Sequence, residues 1–386
     1  MILLKRSIVV VSILALFLLL SACKLVRIHN TGEQKQKMPA PPPPAKITIA
    51  AIGDVIMNDS QIQSGKTANS NDFRKFFKAV QPYLSSPDLT IANFGMTLAG
   101  ESKRYSRSSS FNAPDQTLDA LKYTGVDILT TANNHANDTG EKGIIRTYST
   151  IKKNGFLITG TAPSEQDHKG VIVEKNGIKL GFLSYTERTN SSVPKGKSYL
   201  VNLIDPAKIT KDIKQLKQQG AEYVIVSLHW GTELQRNPNE KQKKTALKVL
   251  QAGADVILGS RPHVPQQIEK MMVNGQEKLV VYSMGNFISN QSNSYTDEGV
   301  IVYLDIMKDA KTGKIKLTNA SFLPTLVNKY KKGGKTEYMV VPLPTKTAGN
   351  LKAYPGLTKK KWEKSWNDVK SKITKKDNFP ILAPKP

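Results

Sequence analysis

Cysteine is almost absent from this chain. Cys23 is the single cysteine among 386 residues, so no disulfide can form within it. Long apolar runs are also scarce, and the one from Ile8 to Leu20 is too short for a confident membrane span. No internal repeat is apparent at the periods of solenoid proteins. These absences exclude a disulfide framework and a repeat array.

The first residues have the pattern of an export signal. Lys5 and Arg6 precede the apolar run, and Leu20-Ser-Ala-Cys23 has the form of a bacterial lipobox. We therefore expect residues 1–22 to be a lipoprotein signal peptide, cleaved before Cys23, with the Cys23 sulfur lipidated. The alternative is that Cys23 is a buried residue of an uncleaved anchor, which would still place the remainder outside the cytoplasm.

A tether follows the lipobox. Residues 23–45 are polar and basic and end in a run of four prolines, Pro41 to Pro44, which favours a semi-rigid spacer. The expected location is thus the extracytoplasmic face of the cell membrane, with the folded part held by a lipid anchor.

Acidic residues are few: 31 against 56 lysines and arginines, a net charge of +25. Loss of residues 1–22 would remove Lys5 and Arg6 and leave +23. Nucleic acid is not an expected partner, because the chain is exported and its lysines are not interleaved with aromatic residues. A basic exterior suits lipid headgroups, wall polymers or a secreted polyanion, although solubility alone would also explain it.

Strand and helix patterns alternate early in the chain, and hairpins follow. Lys46 to Ile52 is a predicted buried strand, and the apolar spacing from Asp72 to Leu84 predicts a helix. Asn176-Gly177 and Asn274-Gly275 predict hairpin turns. We expect an α/β fold in which two mixed sheets face each other between helices.

Several predicted strands end in side chains that can bind metal ions. The stretch from Thr130 to Gly140 follows one strand and crowds Asn134, His135 and Asp138 together, although an ordinary strand-to-helix turn uses similar residues. Asp54, His229 and His263 follow three other strands. Each histidine could be structural when taken singly. Together, a carboxylate, a carboxamide and imidazoles suit an ion such as Zn, Mn or Fe.

Six motifs carry a family resemblance. They are Gly53-Asp54, Asn93-Phe94, Ala132-Asn-Asn-His-Ala-Asn-Asp138, Leu228-His-Trp-Gly231, Gly259-Ser-Arg-Pro-His263 and Tyr282-Ser-Met-Gly-Asn-Phe287. In this order they resemble the bacterial capsule-synthesis proteins of the CapA/PgsA type, which serve poly-γ-glutamate production. The resemblance covers about residues 46–325 and leaves residues 326–386 as a basic C-terminal extension.

The resemblance implies a metallophosphoesterase-like fold, a four-layer α/β/β/α sandwich. It implies that Asp54, Asn134, His229 and His263 are metal ligands. His135 would stabilise or protonate the reacting group, and Asp138 would orient the loop. Substrate contacts are expected from Asn93, Arg261 and Asn286. The implied partners are a membrane-bound ATP-dependent amide ligase, a small integral membrane protein and the anionic polymer.

Two departures from the family pattern affect the metal site. The second motif typically reads Asn-Leu-Glu or Asn-Phe-Glu, and Gly95 stands where the carboxylate belongs. The fifth typically reads Gly-His-His-Pro-His, and Ser260 and Arg261 replace its first two histidines. Arg261 would repel a cation, or hold an anion by paired hydrogen bonds. We therefore expect one divalent ion or none.

Three functions are consistent with these sequence features. The first is an accessory protein for the synthesis or export of a poly-γ-glutamate capsule. The second is a metal-dependent phosphoesterase or related hydrolase acting on envelope substrates, favoured by the surviving ligands and opposed by Gly95 and Arg261. The third is a binding module that holds a carboxylate.

The C-terminal extension carries two tryptophans at helical spacing. Trp362 and Trp366 share one face of a predicted helix. That face could dock on the domain or contact a membrane or partner.

Overall fold

Two β-sheets organise the molecule. The computed structural model describes residues 43–106, 110–167 and 170–381, so the predicted signal peptide, Cys23 and nearly all of the tether lie outside the described residues. The elements in chain order are β1 (Ala45–Val55), α1 (Asp59–Gly65), α2 (Arg74–Phe77), α3 (Gln81–Ser85), β2 (Leu89–Phe94), α4 (Gln116–Thr124), β3 (Ile128–Thr130), α5 (Gly140–Lys153), β4 (Leu157–Thr159), β5 (Val171–Lys175), β6 (Ile178–Thr186), α6 (Pro206–Gln218), β7 (Tyr223–His229), α7 (Glu240–Gln251), β8 (Val256–Ser260), β9 (Ile268–Val273), β10 (Gln276–Val281), β11 (Asn286–Ile288), β12 (Glu298–Lys308), β13 (Ile315–Lys332), β14 (Lys335–Pro342) and α8 (Lys359–Ile373).

Both sheets are mixed. The first has eight strands in the order β14-β13-β12-β1-β2-β3-β4, with β11 paired to β1. Strands β1 to β4 run parallel because helical segments connect them, whereas β12 to β14 are joined by hairpins and run antiparallel. The second sheet has six strands in the order β5-β6-β7-β8-β10-β9, and the two outer strands are antiparallel to their neighbours. The expected pair of mixed sheets is thus confirmed.

Alternating burial along the strands builds four layers. Ile47 and Ile49 of β1 point between the sheets, where they share a core with Ile225 of β7. Ala50 and Ile52 point the other way, into a core shared with residues of α2 to α5. On the far side, the second sheet packs on α6 and α7. The period of two in β-strands therefore gives the expected α/β/β/α order.

The predicted helix from Asp72 to Leu84 is interrupted. It consists of α2 and α3, with Pro82 in the first turn of α3. Proline lacks the N–H that would continue the preceding turn, so a second short helix begins there. Phe76, Phe77 and Leu84 are nevertheless buried in the core, as their spacing predicts.

The residues after 325 take part in the first sheet. Strand β13 runs through the boundary drawn at residues 325 and 326, and β14 adds a further strand to the same sheet. Trp362 and Trp366 of α8 are buried against Leu326 and Val341. The tryptophan face of the helix therefore docks on the domain, one of the two alternatives left open by the sequence. Within the described ranges, no helix is both long and apolar enough to cross a membrane.

Candidate functional site at the ends of the strands

The predicted site residues meet where parallel strands of both sheets end. Asp54 on β1 is in register with Asn93 on β2, and Asn93 with Thr130 on β3. In the second sheet, His229 at the end of β7 is in register with Ser260 at the end of β8. Loops at the carboxyl ends of parallel strands are where α/β proteins bind ligands.

Asp54 is the central carboxylate. Its side chain is fully buried, and its Oδ1 accepts a hydrogen bond of 2.5 Å from Nδ2 of Asn93. Its Oδ2 lies 3.0 Å from Nδ1 of His263 as an ion-pair contact but accepts no well-aligned hydrogen bond in the described part of the chain. Burial alone would raise the pKa of Asp54, but His263, His229 and Asn93 outweigh it and lower that pKa.

His263 is held on two sides. Its Nδ1 also lies 3.0 Å from Oδ1 of Asn286. Burial acts to lower the pKa of His263, but the contact with Asp54 outweighs it, so the pKa is raised. The amide nitrogen of Asn286 donates in turn to acceptors on Ser289, Gln291 and Thr296. Asn286 is fully buried, and these bonds make it a residue that positions His263.

His229 is neutral at physiological pH. Burial lowers its pKa to about 3, against the opposing effect of Asp54, and Arg261, His263 and His135 lower it further. Asp54 belongs to the first sheet and Arg261 to the loop after β8 of the second, so groups from both sheets act on the charge of His229. Nδ1 of His229 is buried and has no hydrogen-bond partner among the described residues.

The loop after β3 fixes His135. Nδ1 of His135 lies 2.7 Å from Oδ2 of Asp138, which also accepts from the backbone N–H of Phe111. The Phe111 ring packs on the imidazole, with ring centroids 4.3 Å apart. Oδ1 of Asn133 accepts the backbone N–H of His135. A carboxylate on Nδ1 selects the tautomer that leaves Nε2 available as an acceptor.

Asn134 is anchored by a residue that the sequence did not indicate. Its Nδ2 donates to Oδ1 of Asn190 at 3.1 Å, and the N–H of Asn190 donates to the carbonyl of Asn134 at 2.7 Å. Oδ1 of Asn134 is buried without a hydrogen-bond partner in the described ranges. Asn190 lies in a polar loop after β6, and only its proximity in the fold reveals its role.

Arg261 is buried in the second sheet's part of the site. Its side chain is 4% exposed, and its Nε donates to the carbonyl of Gly231 at 2.9 Å. Burial lowers the pKa of Arg261, and the charge of Arg188 lowers it further. Its backbone φ of +93° is a conformation that costs a non-glycine residue on the order of 1–3 kcal/mol.

Gly95 is packed rather than open. A Cβ at this position would lie 3.0 Å from Cγ1 of Ile56, so a larger side chain requires Ile56 to move. The space that a second metal-binding carboxylate would need at this position is therefore occupied by the side chain of Ile56.

Three of the predicted ligands are candidates to hold a divalent ion. Across residues 43–106, 110–167 and 170–381, no group of three or more His, Cys, Asp or Glu side chains is arranged to hold a metal. Three atoms of the predicted ligands are nonetheless buried without hydrogen-bond partners among those residues: Oδ2 of Asp54, which is in ion-pair contact with His263, Oδ1 of Asn134 and Nδ1 of His229. Buried polar atoms are rarely left unpaired, and a carboxylate oxygen, an amide oxygen and an imidazole nitrogen are donor types that suit a divalent transition-metal ion.

Together, the two sheets and the polar side chains at their strand ends define an α/β protein with a candidate ligand site at the carboxyl ends of its parallel strands. The chain belongs to the family of bacterial capsule synthesis proteins, PGA_cap, whose model matches residues 48–291. This confirms the resemblance seen in the motifs.

Two relatives illustrate the family. The chain is 28% identical over 266 residues to the capsule biosynthesis protein CapA of Bacillus anthracis, covering 67% of this chain and 63% of the relative, which is less than two thirds of its length. It is 28% identical over 279 residues to the PGA biosynthesis protein CapA of Bacillus subtilis strain 168, covering 70% of each.

Solved structures show a more distant similarity. The calcineurin-like phosphoesterase YfkN from Bacillus subtilis matches 85% of this chain and 97% of its own, at 16% identity and a TM-score of 0.41. A 5'-nucleotidase precursor from Thermus thermophilus matches 77% of this chain and 55% of its own, at 14% identity and a TM-score of 0.43. These TM-scores are too low to carry a functional conclusion.

Proposed function

We propose that this chain is a membrane-tethered, extracytoplasmic accessory protein for the synthesis or export of a poly-γ-glutamate capsule. The observation that carries the proposal is the family match over residues 48–291, on a site whose side chains converge but whose metal-binding set is reduced. Gly95 and Arg261 occupy two of the three altered positions, and Ser260 occupies the third. A site with a buried guanidinium and few metal donors is better suited to holding an acidic chain than to cleaving an ester.

The tether and partners belong to the same proposal. Lipidation of Cys23 would keep the domain beside a membrane-bound ligase and a small membrane subunit, where the polymer emerges. The net charge of +23 expected after signal cleavage would attract a polycarboxylate.

The experiment is complementation of a capsule-negative deletion strain. We expect wild type to restore cell-associated poly-γ-glutamate, and both Asn134→Ala and His229→Ala to reduce it at equal protein levels. Cys23→Ser tests the tether through loss of lipid labelling and release from the membrane fraction. Full polymer output in a strain that lacks the gene would refute the proposal.

A second candidate is a metal-dependent phosphoesterase acting on envelope substrates. The unpaired atoms of Asp54, Asn134 and His229 favour it, because the neutral imidazole and two oxygens would hold one ion of Mn, Zn or Fe. Such an ion, when bound, would lower the pKa of a water. His135, oriented by Asp138, would then sit beside the site with Nε2 free to exchange a proton.

Purified protein separates the two candidates. Stoichiometric metal content and turnover of an aryl phosphate with added manganese, both lost in His229→Ala, would support the hydrolase. Absence of metal and of turnover, with capsule production intact, would support the accessory role.

A further inference from the structure

A cavity of about 340 Å³ opens next to the site on the side of the second sheet. It lies beyond β7 and β8, and its charged lining residues come from three different loops and from α7. The lining residues are Glu187, Arg188, Gly231, Thr232, Glu233, Asn239, Lys241 and Arg261. Asp54, His135 and His263 do not line this cavity.

The floor of the cavity is a buried guanidinium with a free donor. Nε of Arg261 is bonded to the carbonyl of Gly231, and Nη2 lies 3.4 Å from Oε1 of Glu233. Nη1 is buried and has no hydrogen-bond partner in the described part of the chain. A buried, unpaired N–H of a charged group is costly, so a ligand that accepts a hydrogen bond here would relieve that cost.

Of the three cations that line the cavity, two contact a carboxylate within the described ranges and Arg188 does not. Nζ of Lys241 lies 3.1 Å from Oε1 of Glu187, whose Oε2 accepts the N–H of Gly231 at 3.0 Å. Arg261 is nearest to Glu233, which is 48% exposed and therefore weakly held. Arg188 forms no ion pair within the described residues, and its charge acts on Arg261. The lining therefore carries three cations and two anions. Its net charge of one positive unit can be neutralised by a ligand with one negative charge.

We propose that this cavity binds a single carboxylate group through Nη1 of Arg261 and the guanidinium of Arg188. A carboxylate carries one charge and accepts from two donors, whereas a phosphate dianion would exceed the charge available. The strained φ of Arg261 supports a functional reason for holding this side chain in place. The identity of the ligand as a glutamyl unit of an acidic polymer rests on the proposed function, but the carboxylate chemistry does not.

Binding to the full-length protein in detergent tests the proposal. The probes are a γ-linked glutamate oligomer, the same oligomer with its carboxylates amidated, and inorganic phosphate. We expect calorimetry to show binding of the first only. Loss of one charge-assisted hydrogen bond should weaken that binding about ten- to a hundredfold in Arg188→Gln and in Arg261→Gln.

Lys311→Gln is the matched control, because it removes one positive charge at an exposed turn distant in sequence from the cavity. Arg188 is exposed, so its substitution keeps the test valid even if Arg261→Gln fails to fold. Equal weakening in Lys311→Gln, unchanged binding in Arg188→Gln, or tighter binding of phosphate than of the oligomer would each overturn the proposal. Carboxylate binding in a protein dispensable for the capsule would instead refute the proposed function and leave this inference standing.

Discussion

Oδ2 of Asp54 lies 3.0 Å from Nδ1 of His263, and this contact joins the end of β1 in one sheet to the loop after β8 in the other. Both side chains are nearly completely buried, with the pKa of Asp54 lowered and that of His263 raised. The two sheets are therefore tied together by an ion pair at the site itself.

We predict that His263→Ala destabilises the protein by about 3–5 kcal/mol, because it leaves a buried carboxylate without its cation. The double variant with Asp54→Asn should be more stable than His263→Ala alone, since the unpaired charge is gone. Urea unfolding in the presence of a chelator measures both without any contribution from bound metal. A double variant no more stable than the single one would contradict the ion-pair explanation.

Glu298 gives the protein a stability that depends on pH. Its carboxyl is buried with neither oxygen hydrogen bonded in the described ranges, and burial raises its pKa to about 7, helped by Asp368 and Asp297 and opposed by Lys361 and Arg236. Between pH 4.5 and about 7 the folded state keeps a proton that the unfolded chain has lost. Stability due to this group should thus fall as pH rises through that window and be constant above it.

Glu298→Gln should remove this slope and stabilise the protein at pH 8 by up to about 3 kcal/mol. The matched control is Glu174→Gln, whose side chain is 62% exposed, and it should change little. Denaturant unfolding at a series of pH values measures the difference. Parallel curves for wild type and Glu298→Gln would refute the assignment.

Local sequence rules located most strands and the two hairpins with Asn-Gly turns. At Asn176-Gly177 and Asn274-Gly275 all four residues have positive φ, which is what the turn type predicted from these dipeptides requires. β14 was not predicted, because its strand pattern is short and set among lysines. Its pairing with β13 depends on contacts that only the folded sheet provides.

The sequence predicted fewer of the candidate site residues than of the strands. Strand-end residues such as Asp54 and His229 could be named because parallel strands end at one edge. Asn190 and Arg188 could not, because a residue in a polar loop gives no periodic signal, and their roles depend on which loop lies opposite. The buried position of Arg261 is likewise a result of tertiary packing.

Restoring the family residues at two of the three altered positions, 261 and 95, should recover metal binding. Arg261→His removes a fixed charge near His229, and at an effective dielectric near 20 we expect about a tenfold or greater gain in Mn²⁺ affinity. Adding Gly95→Glu should increase it further but lower stability, because Ile56 lies in the way. Equilibrium dialysis with manganese measures the affinity, and thermal unfolding measures the cost. Equal, weak binding by all variants would show that these positions do not limit the site.

The C-terminal residues should be indispensable for folding. A chain that ends at Thr325 loses the last part of β13, all of β14, and the helix whose Trp362 is 2% exposed and donates from Nε1 to the carbonyl of Thr345. We predict that this truncation gives an insoluble or unfolded product. Within the intact chain, Trp362→Ala should cost about 3–5 kcal/mol, as for other buried aromatic residues.

Lys360→Ala, an exposed change on the same helix, should alter stability by less than about 0.5 kcal/mol and serves as the control. A tryptophan that served to contact a membrane or a partner would behave differently, because its loss would leave the unfolding curve of the purified protein unchanged. Chemical denaturation of wild type and the two variants separates these cases. Because Trp362 is buried against β13 and β14, we expect the large loss of stability, since removing the ring opens a cavity between the helix and the sheet.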